Sequence, residues 1–208
     1  MTFIVVEGPE GAGKSTLVRW LAERFQADGR PVVTVREPGG TPVAEAVRKV
    51  VLHFPHDLAA AEELFLFLAA RAHVVRTVIR PALEAGHVVL ADRFELSTMA
   101  YQVAGGGLPY DEVVRANRLA TGGLVSDLTL VLDVPVAVGR ERQRAARKVQ
   151  DRIERQDDAF HRRVLEAYRT ARGPGVVHID AAQSKKAVQD AAWREVMTVT
   201  ALSTRGVS

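Results

Sequence analysis

Residues 8–15 read Gly-Pro-Glu-Gly-Ala-Gly-Lys-Ser, which is G-x-x-x-x-G-K-S. The chemistry open to such a segment is capture of a polyanion. Its glycines let backbone N–H groups point inward at phosphate oxygens, and a helix starting behind them adds partial positive charge. Lys14 is spaced to reach β- and γ-phosphates, and the Ser15 hydroxyl to sit on Mg²⁺. The stretch Gly8, Pro9, Glu10, Gly11, Ala12, Gly13, Lys14, Ser15 and Thr16 is read as a site for a nucleoside triphosphate.

Three further clusters carry charge just after apolar runs. Arg36-Glu37-Pro38-Gly39-Gly40-Thr41 sets a guanidinium beside glycines that allow close backbone approach, an arrangement suited to a phosphate oxyanion. Asp92-Arg93-Phe94 offers a carboxylate for a Mg²⁺ shell and a second guanidinium for phosphate. Asp133 is a third carboxylate at the end of such a run, and all three clusters are expected to face the glycine loop. Between 140 and 155 lie Arg140, Arg142, Arg144, Arg147, Lys148, Arg152 and Arg155, against Glu141, Asp151 and Glu154. No aromatic is interleaved for base stacking, so nucleic acid is not the expected partner. A lid whose arginines close over transferring phosphate fits better, because Gly11 and Ala12 leave the loop itself without an arginine.

The elements that must position these residues are legible as runs. Apolar stretches at 3–6, 32–35, 88–91, 128–132 and 176–179 are short and rich in β-branched residues. Helical spacing covers 16–24, 42–52, 61–84, 96–103, 110–121, 135–148, 157–171 and 184–197. Strands that read as continuous apolar runs are buried on both faces, so the fold class is α/β: a five-stranded parallel sheet with helices on both sides, of the P-loop NTPase kind. Ligands in such sheets bind at the carboxyl ends of the strands, where the charged clusters stand.

Composition adds limits. The chain has 208 residues, a net charge of +3 and no cysteine, which excludes disulfides and thiolate metal sites. Its length suits one domain, 1–208, with the lid at about 140–155 and no linker. No basic leader precedes the first strand, and no apolar run approaches the roughly 18 residues of a membrane span. The expectation is a cytoplasmic protein with no membrane partner. His53 and His56 are split by Phe54-Pro55, and none of the six histidines is expected to bind metal or to act in catalysis. The tail after Trp193 reads as frayed.

The motifs together resemble the thymidylate kinase family over residues 3 to about 180: E-G-P-E-G-A-G-K-S-T at 7–16, R-E-P-G-G-T at 36–41, F-L-A-A-R at 67–71, D-R-F-E-L-S-T-M-A-Y-Q at 92–102, D-L-T-L-V-L-D-V at 127–134 and D-R-I-E at 151–154. The resemblance implies transfer of the γ-phosphoryl of ATP to dTMP with Mg²⁺, strand order 2-3-1-4-5 and a homodimer. The apolar face at 63–70 is the only sequence support for the dimer. It also implies roles. Glu10 positions the acceptor phosphate, Arg36 and Arg93 hold it, and Glu37 belongs to the same site. Phe67 stacks on the thymine ring, and Arg71, four residues on and so on the same helix face, reaches its O4. Read without the family, Phe67 among Leu64, Phe65, Leu66 and Leu68 looks like a core aromatic. Ser97, Thr98, Tyr101 and Gln102 resemble base and sugar contacts, and Ser15 and Asp92 the metal ligands.

Lid arginines with Gly at position 11 place the chain nearest the bacterial subtype. Arg142, Arg144 and Arg147 remain alternative catalytic arginines beside Lys14, Glu10 and Arg93. The chain departs from the family pattern at Phe94, where Tyr or His is commoner, and at Ser126, where Pro is usual. An acceptor phosphate monoester has its second pKa at about 6, so it is already anionic at neutral pH and needs no general base. The rival is a deoxynucleoside kinase acting on thymidine, which would need a carboxylate such as Glu37 beside a neutral hydroxyl. A regulatory or transport ATPase is disfavoured because neither N-K-x-D nor L-S-G-G-Q occurs.

Overall fold

The computed structural model of the chain describes residues 1–145 and 151–205. Strands β1 (Thr2–Glu7), β2 (Val32–Arg36), β3 (Val88–Asp92), β4 (Leu128–Asp133) and β5 (Val176–Asp180) form one sheet in the order β2-β3-β1-β4-β5. All four pairings are parallel. Alternation along a strand sends successive side chains to opposite faces. In β1, Ile4 and Val6 meet Leu17, Leu21 and Phe25 on one face, whereas Phe3 and Val5 meet Ala70, Val74 and Ile79 on the other. Each such fully buried side chain contributes about 1.5–3 kcal/mol over exposure.

The first face is covered by α1 (Lys14–Ala27) and α9 (Lys185–Arg205). The second is covered by α2 (Pro42–His53) and α3 (Ala60–Val74), which runs through a π-helical turn, Val75–Ile79, into α4 (Arg80–Glu84). Helix α6 (Tyr110–Thr121) packs on α3, and α8 (Asp158–Thr170) on the segment after β3. Helix α7 (Val136–Ala145) follows β4. Thr41 caps α2: its hydroxyl accepts from Ala44 N at 3.2 Å, with Pro42 in the first turn where a missing N–H costs nothing.

Register decides what reaches the sheet edge. Arg36 pairs with Asp92, Asp92 with Val6, and Glu7 with Val131, so the charged ends of β1, β2 and β3 stand at one level. Past β3 the chain forms a short helix, α5 (Glu95–Thr98), and then a π-helical turn, Met99–Gly105. Sequence spacing predicts an ordinary helix over 96–103; the wider turn is what carries Tyr101 and Gln102 inward, both buried.

The expectation of a frayed tail after Trp193 is corrected as far as Arg205, and its last three positions, 206–208, lie outside the described residues. Helix α9 continues to Arg205, with Val196 fully buried and Thr200 buried, because Val196 joins the Leu21–Phe25 core and Trp193 meets Phe25 edge-on at 5.3 Å. Among the described residues no helix is long and apolar enough to cross a membrane. Val196→Ala is expected to cost about 1–3 kcal/mol in urea unfolding, as removal of buried methyl groups does; an unchanged midpoint would mean that the end of α9 contributes no core.

Candidate active site

The glycine loop runs from β1 to α1, and Gly13 caps the helix at φ 97°, a left-handed conformation that glycine adopts without strain. Glu10, Gly11, Gly13, Lys14, Ser15 and Thr16 line a cleft of about 520 Å³. Gly8, Pro9 and Ala12 do not line it. They shape it from behind: Gly8 O accepts from Arg93, Pro9 O accepts from Lys14 Nζ at 2.8 Å, and Ala12 lies in the core. Lys14 is therefore folded onto its own loop. Burial, reinforced by the nearby Arg93 charge, lowers its pKa from 10.5 to about 8, against the pull of Glu10, Asp92 and Glu7. The Ser15 hydroxyl donates to Asp92 Oδ2, which brings the two oxygens expected around Mg²⁺ together at the mouth of the loop.

Arg36, Glu37, Phe67, Arg71, Asp92, Arg93, Ser97, Thr98, Tyr101 and Gln102 line the same cleft, so the structure brings together the whole acceptor set expected from the sequence. Phe67 is half-buried: it packs against the core around Val51, Tyr101 and Val131 and also forms part of the cleft wall. Arg71 is buried and held on every side. Its Nε donates to Glu37 Oε2 at 2.7 Å, NH1 to Thr98 Oγ1 at 2.9 Å and Asn117 Oδ1 at 2.5 Å, and NH2 to Phe94 O at 2.8 Å. Phe94 also lies under the Arg71 guanidinium, 5.0 Å away, and packs edge-on against Phe3. The apolar ring at this position is a platform for an arginine. Burial raises the Glu37 carboxyl pKa against the pull of Arg71, and Glu37 Oε1 has no partner.

Arg93 is the sole non-glycine residue with positive φ among the described residues, at 73°. Its NH2 donates to the Glu10 carboxylate and to Tyr101 Oη at 3.3 Å; its NH1 donates to Gly8 O, Ser97 Oγ and Tyr168 Oη. Arg36 is more exposed and pairs with Glu45 at 3.1 Å, an ion pair worth little by itself. Glu45 Oε1 also accepts from Gly40 N at 3.0 Å, and with the Arg36 contact this lowers the Glu45 pKa.

Of the lid arginines, Arg142 lines the cleft and donates to Ala181 O at 3.0 Å. Arg144 lines a neighbouring cavity of about 990 Å³ instead, and Arg147 lies outside the described residues. Asp133 is a correction: it does not face the glycine loop. Its carboxylate lies 2.8 Å from His178 Nδ1, because the β4–β5 register sets it beside β5 and away from the cleft.

Several lining residues escaped sequence reasoning. Arg48 and Leu52 come from α2, whereas Asp151, Ile153 and Glu154 belong to the D-R-I-E motif already singled out in the sequence. Arg152 of that segment is buried, its NH2 2.7 Å from Glu63 Oε1 in an ion pair without hydrogen-bond geometry. Glu7 was a detectable omission: a charged residue ending an apolar strand must find donors if it is buried.

A phosphate-binding loop and an arginine-bearing wall thus face one another across one cleft, and with this sheet they define a nucleotide kinase of the P-loop class. Comparison with known proteins narrows the class. A sequence model of the family described as thymidylate kinase matches residues 6–192. The chain is 50% identical over 192 residues to a thymidylate kinase of Pseudomonas putida (strain GB-1), covering 90% of each. It is 46% identical over 207 residues to that of Thermomicrobium roseum, covering 98% of this chain and 97% of the relative. The chain belongs to the thymidylate kinase family.

The lowered pKa of Lys14 has a kinetic consequence. As pH rises through about 8 the free protein loses this charge, so kcat/KM for ATP falls above that pH. Bound triphosphate restores the charge, so kcat at saturating ATP stays level across the same range. A pH series of both constants checks this, and a flat kcat/KM would show that Lys14 is fully charged in the free protein.

Proposed function

We propose that the protein transfers the γ-phosphoryl group of ATP to dTMP, giving dTDP and ADP. The observation that carries the reading is the continuity of one cleft from the glycine loop to Phe67, Arg71, Arg93 and Tyr101. In this reading the donor phosphates lie over Gly11, Gly13, Lys14, Ser15 and Thr16. The acceptor phosphate lies against Arg93 and Arg36, the thymine on Phe67 within reach of Arg71, Thr98 and Gln102, and the sugar against Tyr101 and Ser97. Glu10 releases Arg93 as the acceptor phosphate arrives.

Ser15 and Asp92 offer the oxygen ligands that a hard cation prefers, and they are the residues that would hold Mg²⁺. When bound, the ion offsets charge on the donor phosphates. The acceptor oxygen is already anionic, so the protein's task is to align two polyanions and to suppress their repulsion. Lys14 and Arg93 do this from fixed positions. The 140–155 segment acts as a lid within a single domain, 1–208, with Arg142, Arg144 and Arg147 as the arginines it can bring. Phe65 on α3 is exposed, which supports a homodimer formed through that helix. The place of action is the cytoplasm.

ADP release in the presence of ATP and Mg²⁺, measured against dTMP, dUMP, dCMP, dGMP, AMP and thymidine in parallel, tests the reading. Strong release with dTMP and weaker release with dUMP is the expected pattern; release with thymidine but not dTMP would mean a nucleoside kinase. Lys14→Ala and Arg93→Ala are each expected to lower kcat/KM by about a hundredfold or more while the fold persists. Near-parental rates in either variant would sink the assignment of that residue.

A further inference from the structure

Glu7 is fully buried at the end of β1, and its carboxylate meets four donors. Oε1 accepts from Phe94 N at 2.8 Å and Ser97 N at 3.0 Å. Oε2 accepts from Ser97 Oγ at 2.6 Å and Tyr168 Oη at 3.2 Å. The same two hydroxyls accept from Arg93 NH1, at 3.1 and 2.9 Å. Each hydroxyl therefore has a guanidinium N–H on one side and a carboxylate oxygen on the other. The two hydroxyls also lie 2.9 Å from each other, so a linked pair of hydroxyls joins the buried carboxylate to Arg93.

The guanidinium is divided by this arrangement. NH1 is the anchored edge, tied to Ser97, Tyr168 and Gly8 O. NH2 points to Glu10 and Tyr101, both of which line the cleft. The Glu10 side chain is 34% exposed, against 14% for Arg93. Of the two carboxylates serving Arg93, only Glu10 can exchange with an anion arriving from the cleft; Glu7 is sealed behind the strand. The left-handed backbone at Arg93 is fixed by the same group, since Glu7 Oε1 binds the amides of Phe94 and Ser97 that close the turn.

We infer that Glu7 is a positioning residue which, through Ser97 and Tyr168, holds the Arg93 guanidinium and supplies its lasting counter-charge, so that the NH2 edge is free for the acceptor phosphate when Glu10 lets go. The role rests on the acceptor site proposed above. A buried guanidinium whose one partner is exchanged for ligand would be unbalanced whenever that partner left. A direct bidentate carboxylate would instead occupy the edge that the phosphate needs. The hydroxyl relays avoid both outcomes.

Glu7→Gln tests this. The amide oxygen can still accept from Phe94 N and Ser97 N, but the amide nitrogen cannot accept from the two hydroxyls, and the charge is gone. Calorimetric binding of dTMP and of thymidine to the full chain separates phosphate from the rest of the ligand. Affinity for dTMP is expected to fall about tenfold to a hundredfold, with kcat/KM for dTMP falling alongside, while thymidine binding and the KM for ATP hold. Tyr168→Phe, which removes one relay and leaves Glu7 in place, is expected to give a smaller loss of the same kind, and serves if Glu7→Gln does not fold. Equal losses for dTMP and thymidine, or none for either, in the variant that folds would overturn the role of Glu7. A parental protein that binds neither ligand and releases no ADP with dTMP would overturn the acceptor site itself, a result separable from the behaviour of the variants.

Discussion

The ion pair between Arg93 and Glu10 sits where the ends of β1 and β3 meet the glycine loop, and the cleft is arranged around it. Lys14 is buried close by, near enough for Arg93 to depress its pKa. Two cations this close repel, and they are tolerable only because Glu7, Glu10 and Asp92 surround them. Phosphates entering the cleft bring more negative charge than these carboxylates hold, so ligand anions take over part of the balancing. The groups lining the cleft satisfy one another: Pro9 O accepts from Lys14, the Glu10 carboxylate from Arg93, and Asp92 from Ser15. The site is thus self-satisfied but exchangeable, which is what an enzyme that must release a charged product requires.

A second constraint ties the loop to the lid. A Cβ at Gly11 would fall on Gly139 O, and one at Gly139 would approach Glu10 O to 2.9 Å. The glycine loop and α7 therefore touch backbone to backbone, and no side chain larger than hydrogen fits position 11 without moving the helix. An arginine at position 11 is therefore excluded by packing. Arg142, three residues after Gly139 on the same helix, lines the cleft.

Much of this was legible in the chain. Apolar runs located all five strands to within two residues, because strands buried on both faces carry little else. The glycine loop, Arg36, Asp92 and Arg93 follow from the rule that ligands meet strand ends, and the register confirms that Arg36 and Asp92 stand level. Asp133 obeys the same rule and fails, since nothing in a single strand reveals that His178 two strands' width from the loop will take its carboxylate. Glu63, Asn117 and Tyr168 were beyond reach for a related reason. Each lies far along the chain from the arginine it serves, Asn117 46 positions from Arg71, Tyr168 75 from Arg93 and Glu63 paired with Arg152, and spacing rules are local. The π-helical turn at Met99–Gly105 was hidden because its residues fit an ordinary helix equally well.

With ATP at the glycine loop and dTMP at the far wall, as proposed above, the two halves of the cleft are built to different tolerances, and the difference follows from what each would have to recognise. On the donor side Gly13, Ser15 and Thr16 are exposed, and the groups offered are backbone, two hydroxyls and the Lys14 ammonium. Every nucleoside triphosphate presents the same phosphates, so nothing there needs to be tightly shaped. On the acceptor side Arg71, Thr98 and Gln102 are buried, and each is fixed by further partners: Arg71 by Glu37 and Asn117, Gln102 by Glu63. Polar groups held so firmly out of water cannot rearrange to suit a different base, and an unmatched one is left without its partner at a cost of about 1–3 kcal/mol. Discrimination between acceptors is therefore stored in the folded wall before any ligand arrives, while the donor side relies on charge that any triphosphate can supply.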